Sequence, residues 1–166
     1  MAAAARKCGQ HGAARPRAGQ FLFAVLAVAV GVVAGSRVAS AENVTSARAA
    51  YITNQLGNSL SVVDLTAGKQ AAEIAIGGKP AGIALSPDGM RAYVAAPESR
   101  EVVAVDTASQ AVVKRAVVGQ GPLGIAVNPQ SGAVYVADWY EHRLYAIDPQ
   151  TLSITASVAT GQSPSG

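Results

Sequence analysis

The chain repeats itself at intervals of 42 residues, and no other feature narrows its possible folds as far. Tyr51, Tyr93 and Tyr135 stand at this spacing, as do Asp64, Asp106 and Asp148, and Pro80, Pro122 and Pro164. Gly77, Gly119 and Gly161 form another set, and Gly82, Gly124 and Gly166 a further one. A fixed period of this length belongs to a propeller blade or a solenoid unit, in which each unit hides its apolar surface by stacking on the next.

The unit 81–122 shows what one repeat builds. Gly82 to Leu85 is a short apolar run closed by Ser86-Pro87-Asp88-Gly89, where proline presets one turn dihedral and glycine accepts positive φ. The runs Arg91 to Ala95, Glu101 to Val105 and Ala111 to Val118 follow, ending at Pro97-Glu98-Ser99, at Asp106-Thr107-Ala108-Ser109 and at Gly119. The next unit repeats this with runs at 125–127, 134–137, 144–147 and 153–159, whereas residues 51–80 lack the first strand of theirs. Each run is too short for several helical turns, rich in β-branched residues and bounded by Pro or Gly, so each is read as a strand. Val102-Val103-Ala104-Val105 is apolar at every position, where a sheet wetted on one side would alternate; both faces are therefore expected to be covered. The fold expected is all-β, with four-stranded antiparallel meanders stacked as β-propeller blades and small Ala residues near the axis.

Tyr51-Ile52-Thr53-Asn54 with Ser61-Val62-Val63-Asp64 resembles the YVTN family of β-propeller repeats. The later units read Tyr93-Val94-Ala95-Ala96 with Val103-Ala104-Val105-Asp106, and Tyr135-Val136-Ala137-Asp138 with Tyr145-Ala146-Ile147-Asp148. The Pro-x-Gly-Ile-Ala lead-in and the Ser-Pro-Asp-Gly turn of that family occur at Pro80 to Ala84 and Ser86 to Gly89. The resemblance implies a propeller and leaves the activity open, since function belongs to sites and not to folds.

The ends of the chain carry separate information. Arg6, Lys7, Arg15 and Arg17 precede an apolar run from Phe21 to Ala34, and Ala39-Ser40-Ala41 offers small residues to signal peptidase. Residues 1–41 are therefore read as a secretory signal peptide cleaved after Ala41; the 14-residue run is shorter than the roughly 20 a spanning helix needs. No membrane span is expected after cleavage, and the location expected is the periplasm or the extracellular space. Five of the 13 basic residues and none of the 10 acidic ones lie in this leader, so residues 42–166 carry net charge −2. A nucleic-acid surface needs clustered Lys and Arg, and Lys114-Arg115 is the only adjacent pair there, so no nucleic-acid partner is expected. The single cysteine, Cys8, is in the leader as well, which excludes thiol catalysis, cysteine-ligated metal and haem attachment from the remainder. Asn43-Val44-Thr45 matches a glycosylation sequon.

Residues 42–50 form a short lead, 51–80 a partial blade, 81–122 and 123–164 complete blades, and 165–166 the start of a further repeat. Closed propellers use roughly 4 to 8 blades, so this one is expected to be incomplete and open. One blade face spans on the order of 300 Å², and leaving it wet forfeits up to about 7 kcal/mol. Either a protein partner or self-association closes the ring, or the chain is a fragment of a longer product.

Strand alternation sends the loops after second and fourth strands to one face, which thereby collects 55–58, 97–100, 138–142 and the Gly-rich connections 77–80 and 119–122. There Asp138-Trp139-Tyr140-Glu141-His142 replaces the bland Ala96-Pro97-Glu98-Ser99 and brings the only Trp of the chain. These five residues are the candidate partner-binding loop, with Trp139 and Tyr140 as anchors; the alternative is aromatics that pack on a neighbouring blade. His142 has no second His near it in sequence for zinc and no Gly-x-Ser-x-Gly nucleophile to serve. The repeated Asp64, Asp106 and Asp148 each follow a third strand, where a carboxylate closes a turn by accepting backbone N–H groups. No catalytic residue, metal or cofactor is assigned. The reading is an exported, non-enzymatic interaction scaffold. The resemblance also implies two others: a structural or accessory subunit of a periplasmic quinone-cofactor dehydrogenase system, or a lactonase-like hydrolase.

Overall fold

A computed structural model describes residues 48–166. The expected signal peptide, Cys8 and the sequon at Asn43 lie outside the described residues. Eleven strands follow one another in three sheets, with no α-helix among the described residues. The first sheet holds β1 (Ala49–Asn54), β2 (Ser59–Asp64) and β3 (Lys69–Ala75). The second holds β4 (Ile83–Leu85), β5 (Arg91–Ala96), β6 (Glu101–Asp106) and β7 (Ala111–Val117). The third holds β8 (Pro122–Val127), β9 (Val134–Asp138), β10 (Arg143–Ile147) and β11 (Ile154–Ala159). Every sheet is an antiparallel meander in chain order, and the first begins at what is the second strand of the other two.

The uninterrupted apolar runs are explained by two cores that share one wall. Val103 and Val105 face the first sheet, joining Leu60, Val62, Ile74 and Ile76 in one fully covered cluster. Val102 and Ala104 face the third, joining Tyr93, Val134, Val136, Tyr145 and Ile147 in the other. Successive residues of β6 thus serve opposite clusters, as the pleat of a strand requires. The outer surfaces are different: every residue of β11 is exposed.

Each repeat carries the same local devices. The register slips between Val62 and Val63, between Ala104 and Val105, and between Ala146 and Ile147, an irregularity at the equivalent position of each sheet, and the third sheet has another between Pro122 and Gly124. Such bulges bend a strand and sharpen its twist. The three Asp residues do what their positions suggested. Asp64 Oδ1 accepts from the N–H groups of Thr66 (2.7 Å) and Ala67 (3.0 Å), Asp106 Oδ1 from Ser109 (2.8 Å), and Asp148 Oδ1 from Gln150 (2.9 Å) and Thr151 (2.7 Å). These backbone donors hold all three carboxyls below the usual carboxylate range.

Tethers between sheets recur as well. Tyr93 donates from its hydroxyl to Pro149 O (3.1 Å) on the third sheet, and Tyr51 reaches Thr107 on the second. Burial pushes both phenols above their ordinary range. Arg115 Nη2 donates to Ile76 O (2.7 Å), and Thr53 Oγ1 to Ala81 O (2.7 Å). The tightest approach is at glycine: a Cβ on Gly82 would strike the Leu123 carbonyl, and one on Gly124 would lie 2.8 Å from that of Ser165. Glycine, where alanine was expected, permits backbones to meet there.

Candidate functional site

The loops sort onto two faces as strand alternation requires. On one, the β1–β2 turn, the β5–β6 turn and the β9–β10 turn surround a cleft of about 450 Å³. Gln55 comes from the first sheet, Lys79, Pro97 and Glu98 from the second and its lead-in, and Gly121, Leu123, Trp139 and Tyr140 from the third. The opposite face has a recess of about 500 Å³ between the 86–91 turn, Asp106 and Pro149. Its carboxylates serve their own turns: Asp88 Oδ1 accepts from Ser86 Oγ and Met90 N, Asp106 as above.

Asp138 organises the first cleft. It ends β9 fully buried, and its carboxylate accepts four backbone N–H bonds. Oδ2 receives Gln120 N and Gly121 N, both at 2.8 Å; Oδ1 receives Tyr140 N at 3.0 Å and Glu141 N at 2.7 Å. One side chain thus ties the Gly-rich entry of its blade to the turn that carries the aromatics. Trp139 N closes the same junction by donating to Gly121 O (2.9 Å). The Tyr140 ring lies where a Cβ on Gly121 would be, so that glycine is the seat of the ring. Held this way, Trp139 stays 39% exposed and Tyr140 69%.

The remaining loop residues have distinct places. Glu141 Oε2 accepts from the Tyr145 hydroxyl, and burial, with this bond and the Glu141 charge, pushes Tyr145 up to about 12. His142 is exposed and has φ 53°, the left-handed turn position that Asn58 (φ 53°) and Arg100 (φ 60°) occupy in the other two sheets. Its Nδ1 accepts from Ser163 N (3.0 Å). Across the cleft, Lys79 pairs with Glu98, while Lys79 N donates to Asn58 Oδ1 (3.0 Å) and Glu98 N to Gly78 O (3.1 Å). The arrangement is an aromatic ridge facing an exposed ion pair, which suits binding. Among the described residues no three His, Cys, Asp or Glu side chains gather to hold a metal ion.

Of the five loop residues proposed from sequence, two reach the cleft surface, Trp139 and Tyr140. Asp138 is beneath it, Glu141 turns toward Tyr145, and His142 turns toward Ser163. Leu123 in the cleft wall went unforeseen.

A family model for a YNCE-like beta-propeller matches residues 27–132. The chain belongs to the YNCE-like β-propeller family. Among solved structures, hydrazine synthase from Kuenenia stuttgartiensis is 31% identical with a TM-score of 0.66, over 69% of this chain and 33% of that one. Dihydro-heme d1 dehydrogenase NirN in complex with DHE is 20% identical at TM-score 0.59, over 71% of this chain and 27% of that one. Apo AztD from Citrobacter koseri is 18% identical at TM-score 0.56, over 64% of this chain and 30% of that one. The last two share the fold alone. The chain spans about a third of the length of the solved structures it matches. No curated protein matches it. Like other members of the YNCE-like family it is built from propeller sheets, three of them among the described residues and not closed into a ring there, and no helix among the described residues is long and apolar enough to cross a membrane.

Proposed function

We propose that this protein is an exported, non-enzymatic binding scaffold whose repeats are of the YVTN type, and that it takes a protein partner on the loop face. The observation that carries the reading is the exposed pair Trp139 and Tyr140, fixed on a turn whose backbone Asp138 locks from below. Large aromatics held rigidly at a cleft lose little conformational freedom on binding, which is why such residues dominate interface energies. Lys79 and Glu98 opposite them provide polar matching at the rim.

The test is capture of partners from the exported fraction of the host by crosslinking, followed by titration of the purified partner. Changing Trp139 and Tyr140 to Ala together is expected to weaken binding by about 30-fold or more. Unchanged affinity would dismiss the cleft as the contact. Intact-mass measurement of exported protein, expected to begin at Glu42, checks the leader.

A second reading is supported by the likeness to hydrazine synthase, an enzyme in which a third of one chain resembles this one. In that reading the protein is a structural or accessory part of a periplasmic redox enzyme, of which quinone-cofactor dehydrogenases are one class, and the cofactor sits in the partner. Co-purification separates the two: a cofactor-bearing enzyme favours this reading, any other exported protein the first.

A further inference from the structure

The loop-face cleft presents polar groups that the fold leaves unused. The Trp139 indole N–H, the Tyr140 hydroxyl and the Gln55 amide all border it, and none of the three has a hydrogen-bond partner among the described residues. All can donate, and the indole can only donate. The carboxylate in the wall, Glu98, is committed to Lys79. The lining is therefore without net charge and richer in free donors than in free acceptors. Its backbone is spent as well. Lys79 N donates to Asn58 Oδ1, Glu98 N to Gly78 O, Gly121 N and Tyr140 N to Asp138, and Trp139 N to Gly121 O.

These features select among the ways a folded surface can hold a polypeptide. A strand added to a sheet edge needs a row of free N–H and C=O groups. Leu123 is the only wall residue that belongs to a strand, and its carbonyl already accepts from Gly82 N (3.1 Å). A helix is about 10 Å across, so a volume of about 450 Å³ holds roughly one turn of it. Docking a helix in a groove takes anchors spread over two turns or more.

A polyproline II segment meets both limits. It is slender, has no internal hydrogen bonds and leaves its carbonyl oxygens free for outside donors. Its prolines have no N–H that would call for acceptors the cleft does not offer. Proline rings pack on aromatic rings, which Trp139 and Tyr140 supply, and Pro97 and Leu123 complete the apolar lining. Both sides also come preformed: the segment is extended before it binds, and Gly121 seats the Tyr140 ring, so little freedom is lost on docking.

We propose that the cleft takes an uncharged, proline-rich segment of the partner in the polyproline II conformation, with Trp139, Tyr140 and Gln55 donating to its carbonyl oxygens. Such an occupant presupposes that the cleft receives a protein partner, and adds the conformation and chemistry of the segment that enters.

The test is titration of the full chain with decaproline, an uncharged peptide that holds this conformation, and with a glycine–serine peptide of equal length that does not. Trp139 is the only Trp of the chain, so its fluorescence reports occupancy directly. Decaproline is expected to shift the emission saturably and to bind at least about tenfold more tightly than the glycine–serine peptide. Trp139→Phe and Tyr140→Phe each keep a ring and delete a donor, and each is expected to weaken decaproline about fivefold by calorimetry. Gln55→Leu is expected to do the same, and replaces either comparison should a Phe variant lose the β circular dichroism spectrum. Decaproline that neither shifts the emission nor gives heat of binding would overturn the proposal. So would equal affinity for the two peptides, or donor-deleted variants that bind decaproline as wild type does. Failure here is separable from failure of the cleft: a partner that loses affinity when Trp139 and Tyr140 become Ala still contacts the cleft, even where decaproline does not bind.

Discussion

Asp138 sits under the aromatic ridge with four N–H groups pointing at one carboxylate, and that geometry fixes what its replacement does. Asp138→Ala leaves those donors buried without an acceptor and is expected to lose roughly 3 kcal/mol or more, read by chemical denaturation. Asp138→Asn should fare little better, since its amide NH₂ must face one of the two donor pairs. Tyr145 makes a second prediction. Its folded-state pKa of about 12 lies above the ordinary value of 10, so the folded state holds the phenol proton more tightly. The stabilisation is complete below pH 10 and is lost as the pH rises toward 12. Melting curves over that window should fall steeply for wild type and less steeply for Tyr145→Phe; equal slopes would show that the folded state does not hold the Tyr145 proton more tightly. What was readable at this scale was residue type and repeat position. That Asp138 is an internal clamp had a signal in its place at the end of a strand, like Asp64, Asp106 and Asp148, but its donors arrive from 17 and 18 residues away as well as from its own turn. Local spacing shows only the second kind.

At the scale of one turn, position outweighs chemistry. His142 shares its left-handed conformation with Asn58 and Arg100, so the site asks for a backbone shape before it asks for an imidazole. His142→Gly is expected to stay within about 0.5 kcal/mol of wild type, and His142→Val to lose about 1–2 kcal/mol, because a β-branched side chain resists positive φ. Gly121 tests the neighbouring element. A methyl there collides with the Tyr140 ring, so Gly121→Ala should move Tyr140 off the cleft and weaken partner binding while preserving the β spectrum. Element boundaries were legible because every strand but β1 stops at, or within two residues of, a Pro, Gly or Asp; β5, for example, runs Arg91–Ala96 where Arg91 to Ala95 was expected. The bulges at Val62, Ala104 and Ala146 were not, since a register slip depends on what the partner strand does and has no residue signature of its own here.

For the whole molecule, the apolar quartet Val102 to Val105 foretold a sheet covered twice, and the second sheet is that sheet. The placement of three loops around one cleft was likewise readable from alternation. Its depth and wall were not, because they depend on how closely the second and third sheets approach at Gly82 and Leu123. Hydrogen exchange checks the packing order: amides of β11, exposed throughout, should exchange before those of β6. The twofold use of β6 also governs how injury spreads. A fault at Val103 and a fault at Val102 strike separate compartments whose only common boundary is a single pleated ribbon, so the halves of this protein negotiate through four strands of backbone, and a chain that loses grip on one side keeps a scaffold on which the other still stands.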